Sequence, residues 1–363
     1  MSSVRIASKL GQKTKKADSS AEQKLLWLVG TGGTIAGTGA SSTSSSYEAG
    51  KLHVSALTEN NPDLKKFKIE STNLFNIDSS DITLDHWLKL AAHINELLEG
   101  DVQGVVVTHG TDTLEETAYF LHLVIKSNKP VVLVGSMRPS TSSSPDGPIN
   151  LFNAFSVANS PEAGGKGVLV LMNDEIFSAR DVTKSNTTKV NAFNSPNNGP
   201  LGRVHCGKVQ FNSNITHQHT SDTPFKLEPG QTLPNVEILL EYAGSTPAVL
   251  KAMINLDPLP DAIVIAGLGN GGIPKTHQPY IDEAKKKGII IVVCSRVGSG
   301  SVILDELDCP NKEHIKNIAG EDLSPQKARI LLMLAIMYIR ATKEYAADPQ
   351  QVAEKLTKCF NKY

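Results

Sequence analysis

Cysteine is scarce in this 363-residue chain: Cys206, Cys294, Cys309 and Cys359 stand far apart, with no C-x-x-C pair. That spacing excludes a zinc ribbon and a dithiol redox motif, and so low a count fits a reducing compartment. Aromatic residues are also few (two Trp, seven Tyr, ten Phe), which argues against a surface for stacking bases. Neither sign of charge is in excess, since 36 Lys and Arg against 37 Asp and Glu leave a net charge of −1. A nucleic-acid binder carries a basic face, and none is visible here. Long apolar runs are missing as well. The strongest, 330–339, is only ten residues between Arg329 and Arg340, too short for a bilayer and read as a buried helix. Residues 1–21 hold Arg5, Lys9, Lys13, Lys15 and Lys16 but lack the apolar run of about 7–15 residues that a secretory signal needs. They read as a disordered basic tail, and the same composition also fits a mitochondrial presequence.

What remains is an ordinary globular composition, 40% hydrophobic and 20% charged, with length enough for two domains. Short β-branched runs at 25–29, 104–108, 131–134 and 168–171 read as buried strands bounded by Gly or Pro. Between them, Leu84, Trp87, Leu88, Ala91, Ile94 and Leu98 recur at helical spacing, and 113–125 and 150–158 predict two further helices. Strand–helix alternation of this kind builds a mostly parallel sheet covered on both faces. A polar stretch rich in Thr, His and Pro reads as a linker, after which strands at 236–242, 262–266 and 289–294 alternate with helices at 246–254, 280–287 and 325–340. The sequence therefore predicts two α/β domains. The larger, 22–212, is a mostly parallel sheet with flanking helices, and the smaller, 236–363, is a parallel-sheet domain. Residues 213–235 join them.

Ligands bind at the carboxyl ends of strands in such sheets, and three segments there are unusual. Gly30-Thr31-Gly32-Gly33-Thr34-Ile35-Ala36-Gly37 follows the first strand. A dinucleotide fingerprint needs Gly or Ala where Ile35 stands, and a phosphate loop needs Lys where Thr38 stands, so both nucleotide readings fail. What is left is a tight turn that lets the backbone approach a ligand, or a plain β–α turn in which Thr34 caps the next element. Thr108-His109-Gly110-Thr111-Asp112-Thr113-Leu114-Glu115-Glu116-Thr117 crosses from a strand into a helix. The helix N-terminus there can hold an anion or oxyanion, and Asp112 can bind an ammonium group or orient a base. Alternatively Thr111 or Asp112 caps the helix while Glu115 and Glu116 favour its dipole. His109 is a general base by residue type but a structural histidine by position. In Asp181-Val182-Thr183-Lys184 the lysine is a base if its surroundings lower its pKa, and otherwise a solvated charge.

Taken in order, Thr31-Gly32-Gly33-Thr34-Ile35-Ala36 and Thr108-His109-Gly110-Thr111-Asp112-Thr113 resemble the bacterial-type L-asparaginase/glutaminase family. The resemblance runs through Lys129-Pro130-Val131-Val132, Met137-Arg138-Pro139, Asp146-Gly147-Pro148, Asp181-Val182-Thr183-Lys184 and Pro325-Gln326-Lys327-Ala328-Arg329. It implies hydrolysis of the side-chain amide of L-asparagine to aspartate and ammonia, without metal or organic cofactor. Thr34 would be the nucleophile, helped by Tyr47, and would form an acyl-enzyme. Thr111, Asp112 and Lys184 would form a second polar group that activates the attacking water or assists the nucleophile. Ser79, Thr111 and Asp112 would hold the substrate, with Ser79 and Asp112 at its α-carboxylate and α-amino groups. The Ser-rich 39–46 run before Tyr47 reads as a lid.

The chain departs from the family pattern at Ser80, where Gln is frequent, at Leu307, where a Glu for the neighbouring protomer's site is expected near Asp305–Asp308, and at Gly272. Those departures keep open a mixed glutaminase-asparaginase and a catalytically silent amino-acid-binding or regulatory protein on the same fold. The resemblance further implies a homotetramer of tight dimers. The absence of Cys at Leu97–Glu99 and Ser127, where periplasmic members carry a disulfide, favours the cytoplasm. His205-Cys206 and His217-x-His219 lack the four-ligand spacing of zinc, so no metal is expected. No nucleic-acid or membrane partner is expected either.

Overall fold

The computed structural model describes residues 23–39, 41, 47, 48, 50–304, 317–342 and 348–363. The sequence expectations for residues 1–21, for most of the 39–46 run and for Asp305–Asp308 lie outside the described residues. In the first half the chain runs through β1 (Leu25–Gly32), the antiparallel pair β2 (Thr38–Gly39) and β3 (Tyr47–Glu48), and α1 (Val54–Glu59). It continues through β4 (Lys68–Ile77), α2 (Leu84–Glu99), β5 (Gly104–Thr108), α3 (Leu114–Val124), β6 (Val131–Val134) and α4 (Gly147–Ala158). The sheet is then completed by β7 (Val168–Met172) and β8 (Glu175–Ser178) and, beyond the small ladder of β9 (Thr183–Lys184) with β10 (Phe193–Asn194), by β11 (Gly202–His205) and β12 (Lys208–Phe211).

These strands order as β12-β11-β8-β7-β6-β5-β1-β4. From β4 to β7 the pairing is parallel, and from β7 to β12 it is antiparallel. The runs Gly104-Val105-Val106-Val107-Thr108, Val131–Val134 and Val168–Met172 are buried along their whole length, as strands covered on both faces must be. Their side chains alternate between two cores. Val105, Val107, Leu133 and Val170 face α2 and α3, whereas Val106, Val132, Val134, Leu169 and Leu171 face α4. Trp87 of α2 stacks on Phe120 of α3 and donates its indole N–H to the Thr117 hydroxyl at 2.8 Å, locking the two helices together.

The second unit holds β13 (Val236–Leu240), α5 (Ala248–Met253), β14 (Ala262–Gly267), α6 (Gln278–Lys286), β15 (Ile290–Ser295) and β16 (Ile318–Ala319), the four strands forming a parallel sheet. It closes with α7 (Pro325–Ala341) and α8 (Pro349–Lys362). The apolar 330–339 run falls inside α7, capped by Ser324 with Pro325 at its first turn. This helix is apolar nearly all round because it lies between two neighbours: it joins α3 and the strands Val264 and Val292 in one continuous core. The 213–235 connection has no strand, yet Phe225 is fully buried and Lys126 of the first unit donates to the Thr220 and Thr223 carbonyls at 3.1 and 2.9 Å. It is a docked segment. No helix among the described residues is long and apolar enough to cross a membrane.

Candidate active site

Connectivity places the site. From β1 the chain leaves toward β4 on one side, and from β5 it leaves toward β6 on the other, while β1 and β5 are neighbours. The carboxyl ends of β1 and β5 therefore bracket the switch point where loops diverge and leave a crevice. The Thr34 and Thr111 segments are those two loops.

Glycines let the loops meet. Gly33 has φ +80, and a Cβ there would sit 2.3 Å from the Gly110 amide nitrogen. A Cβ on Gly110 would in turn sit 2.6 Å from the Ser79 hydroxyl. Three backbones, after β1, β5 and β4, are thus pressed together at positions where only glycine fits. The Thr31 hydroxyl donates to the Thr108 carbonyl at 2.8 Å, tying the ends of β1 and β5. Thr34 opens a 3-10 turn, Thr34–Ala36, and is buried. It does not cap that turn: Gly33 holds the cap position and no side chain bonds there.

At the second loop the capping expectation also fails. Thr113 is the N-cap of α3 without a side-chain cap bond, and its hydroxyl instead donates to the Ser79 carbonyl at 2.8 Å. Ser79 is buried at the carboxyl end of β4, and its Oγ accepts the Asp112 N–H at 3.2 Å. Ser80 points elsewhere, donating to Asp78 Oδ1 at 2.8 Å.

From β9, the Lys184 ammonium reaches across to the same loop. Its Nζ lies 2.9 Å from Thr111 Oγ1 and is paired with Asp112 Oδ1. Thr111 is buried, whereas the Asp112 side chain is 63% exposed. The Thr111 N–H has no protein acceptor among the described residues. The structure thus brings Thr111, Asp112, Lys184 and Ser79 into hydrogen-bonding reach and seats the Thr34 turn against them. The backbone of Tyr47 pairs with Gly39 in the β2–β3 ladder, and its side chain lies outside the described residues.

His109 is not placed for proton transfer. It is fully buried, with Nδ1 2.7 Å from the Gly110 carbonyl and Nε2 without a partner among the described residues. Burial lowers its pKa from 6.5 to about 4, and burial likewise pushes His122 well below the ordinary value. The unfolded chain takes up these protons near pH 6.5 and the native chain does not. Stability is therefore complete above pH 6.5 and falls as the solution is acidified toward pH 4. For His109 alone, about 2 kcal/mol is lost between pH 6.5 and pH 5. Urea unfolding at pH 7 and pH 5 measures it, and His109→Gln flattens the slope. Equal stability at both pH values would refute the assignment.

Sequence reasoning missed the supports of this site. Glu115, one of two acids in the first turn of α3, is buried and bonds to β9 rather than serving the helix dipole. Lys327, inside Pro325-Gln326-Lys327-Ala328-Arg329, is buried and donates to the Arg180 carbonyl at 2.8 Å and to the Val182 carbonyl, holding the loop that leads to Lys184. Asp146 accepts the Met137 and Arg138 N–H groups, both at 2.9 Å, so two of the recurring motifs form one loop clip. In sequence, an acid at a helix start or a lysine inside an apolar helix is a weak signal.

Two protein-family models match the chain, "Asparaginase, N-terminal" over residues 25–217 and "Glutaminase/Asparaginase C-terminal domain" over 235–346. L-asparaginase 2 of Bacillus subtilis is 44% identical over 97% of this chain and 90% of its own, and L-asparaginase 2 of Escherichia coli is 44% identical over 93% and 92%. Relatives named glutaminase-asparaginase match as well. Among solved structures, a probable cytoplasmic L-asparaginase from Campylobacter jejuni superposes with a TM-score of 0.86 at 42% identity, covering 94% of this chain and all of the other.

Proposed function

The chain belongs to the asparaginase family, and from that premise we propose that it hydrolyses the side-chain amide of L-asparagine to L-aspartate and ammonia. The observation that carries this reading is the Thr111–Lys184–Asp112 group, with Nζ 2.9 Å from Thr111 Oγ1, assembled beside the Thr34 turn at the switch point. It has the order of an acceptor of protons held by a carboxylate and facing a hydroxyl, the arrangement that activates a weak oxygen nucleophile.

In the first step Thr34 Oγ attacks the amide carbon and its proton leaves to a basic partner, Tyr47 being the candidate by resemblance. The resulting oxyanion is met by the Thr111 N–H. The tetrahedral adduct collapses with cleavage of the C–N bond, and the leaving nitrogen takes the proton and departs as ammonia. An ester between Thr34 and the aspartyl group remains. In the second step water attacks that ester and gives its proton, through the Thr111 hydroxyl, to Lys184 in its neutral amine form, which becomes the ammonium. The C–O bond to Thr34 breaks, the hydroxyl regains a proton, and aspartate is released. Substrate is held by the Ser79 loop at its α-carboxylate and by the exposed Asp112 oxygen at its α-ammonium group. Lys184 binds the other Asp112 oxygen, neutralising it when in its ammonium form, so one carboxylate serves both tasks.

The test is ammonia release by the purified chain with L-asparagine and L-glutamine in parallel. Turnover of L-asparagine is the expected result, and the glutamine rate reads the selectivity of a site in which Ser80 faces Asp78 instead of the ligand. Folded protein that releases ammonia from neither amide would make it the silent relative.

We further propose a homotetramer. Leu240, Tyr242, Val249, Leu256, Leu259, Val297 and Ile303, all in the second unit, are large apolar side chains left exposed in the single chain. A monomer by sedimentation at micromolar concentration would overturn this. A cytoplasmic location is proposed on the name of the Campylobacter jejuni protein and on the free thiols of Cys206, Cys294 and Cys359. Recovery in a periplasmic or organelle fraction would contradict it.

A further inference from the structure

Glu115 is the second residue of α3 and is buried, 6% exposed. A carboxylate so placed is costly unless hydrogen bonds compensate it. Both of its oxygens are committed to one short strand, β9. Oε2 accepts the Lys184 backbone N–H at 2.5 Å, and Oε1 accepts the Thr183 hydroxyl at 3.2 Å. The opposite edge of β9 is paired with β10, Phe193 facing Lys184 and Asn194 facing Thr183. The main chain of Lys184 is therefore gripped from two sides, and its side chain leaves from that fixed point toward Thr111 and Asp112.

Residues 111–115 form one continuous stretch. That stretch carries the hydroxyl that Lys184 contacts, the carboxylate that pairs with it, and the carboxylate that anchors its backbone. A helix-capping role is excluded by the bonds themselves, since neither oxygen of Glu115 meets an α3 N–H. Nor is Glu115 interchangeable with its neighbour. Glu116, whose carboxyl is pushed up by burial and then by the Glu115 charge, makes neither bond to β9.

We propose that Glu115 is a positioning residue of the amidase site, acting through Lys184: it fixes the backbone from which the Nζ reaches Thr111. This rests on the reading of Lys184 as part of the reacting group. Groups that orient a reacting residue from behind commonly contribute about 10- to 100-fold to activity. Glu115→Gln keeps the size of the side chain but removes the charge that strengthens both bonds to β9: the Lys184 N–H is left with a neutral amide oxygen, and the Thr183 hydroxyl keeps a bond only by reversing to accept.

The experiment is a double-mutant cycle on full-length protein, with kcat and KM for L-asparagine and thermal unfolding for each variant. Glu115→Gln should lower kcat about 10- to 100-fold with KM changed by less than about threefold. On a Lys184→Met background the same change should have no further effect. Thr183→Val, which removes one leg of the grip and keeps side-chain shape, should give a smaller loss in the same direction and stands in if Glu115→Gln does not fold. An undiminished kcat in both Glu115→Gln and Thr183→Val overturns the proposal. A loss of equal size with and without Lys184 also overturns it, because the effect is then only structural. Full activity in Lys184→Met itself marks a different failure, that of the reading of Lys184, and the positioning role falls with it.

Discussion

Thr34→Ala folds normally and releases ammonia from L-asparagine at no more than about one-thousandth of the parent rate. The size of the loss follows from the route. If the acyl group is carried by Thr34 Oγ, removing that atom deletes both chemical steps, and only binding and the oxyanion donor remain. The intact fold follows from the geometry. The 3-10 turn Thr34–Ala36 is closed by the Gly37 N–H on the Thr34 carbonyl at 2.8 Å, a backbone bond that alanine keeps. Alanine removes a hydroxyl and a methyl from a site beside an open crevice, so the melting temperature should move by only a few degrees. Steady-state ammonia release with a melting curve on the same sample checks both halves. More than about a tenth of the parent kcat would transfer the nucleophile's role to Thr111, the buried hydroxyl that Lys184 contacts.

Lys184→Met should lower kcat about 10²- to 10⁴-fold, the range for loss of a positioned proton acceptor. Methionine matches the length of the lysine stem and leaves the β9–β10 backbone pairing untouched. What disappears is the bond to Thr111 and the charge opposite Asp112. Binding should weaken less than turnover, because the exposed Asp112 carboxylate remains. Lys184→Arg separates the two contributions. A guanidinium supplies the charge but does not give up its proton in proteins, so a proton-accepting lysine predicts that Arg fails nearly as badly as Met. Near-normal kcat in Lys184→Arg would reduce Lys184 to an electrostatic partner of Asp112.

The middle of the parallel half was readable because β5, β6 and β7 carry unbroken apolar runs. Strands β5 and β6 begin and end where the sequence predicts. The antiparallel edge was not readable. β11 buries only alternate residues and β12 none fully, a pattern that short polar strands share with loops. Helix α8 was missed for a related reason: Leu356 and Phe360 are its only fully buried side chains among Gln, Glu and Lys. At the site, Thr34, Thr111 and Ser79 were findable because each follows a strand end beside a glycine or a turn. Their mutual contact depends on Gly33 meeting Gly110 and Gly110 meeting Ser79, a tertiary fact that no local pattern contains. Glu115 was hidden by its own plausibility, since an acid in the first helical turn already has a local explanation.

Helix α7 belongs to the cores of both sheets and, through Lys327, holds the strand-leading loop of the catalytic half. Neither half can lose its packing without exposing the apolar flank of the same helix, so calorimetry should show the two halves melting together. Catalytic competence is then a property of the whole cooperative unit. A fragment ending in the 213–235 connection would retain both threonines and the lysine yet leave the face of α3 that packs on α7 open to water, with nothing to hold the Arg180 and Val182 carbonyls. Through Lys327, α7 reaches the loop that leads to Lys184 without touching the crevice itself.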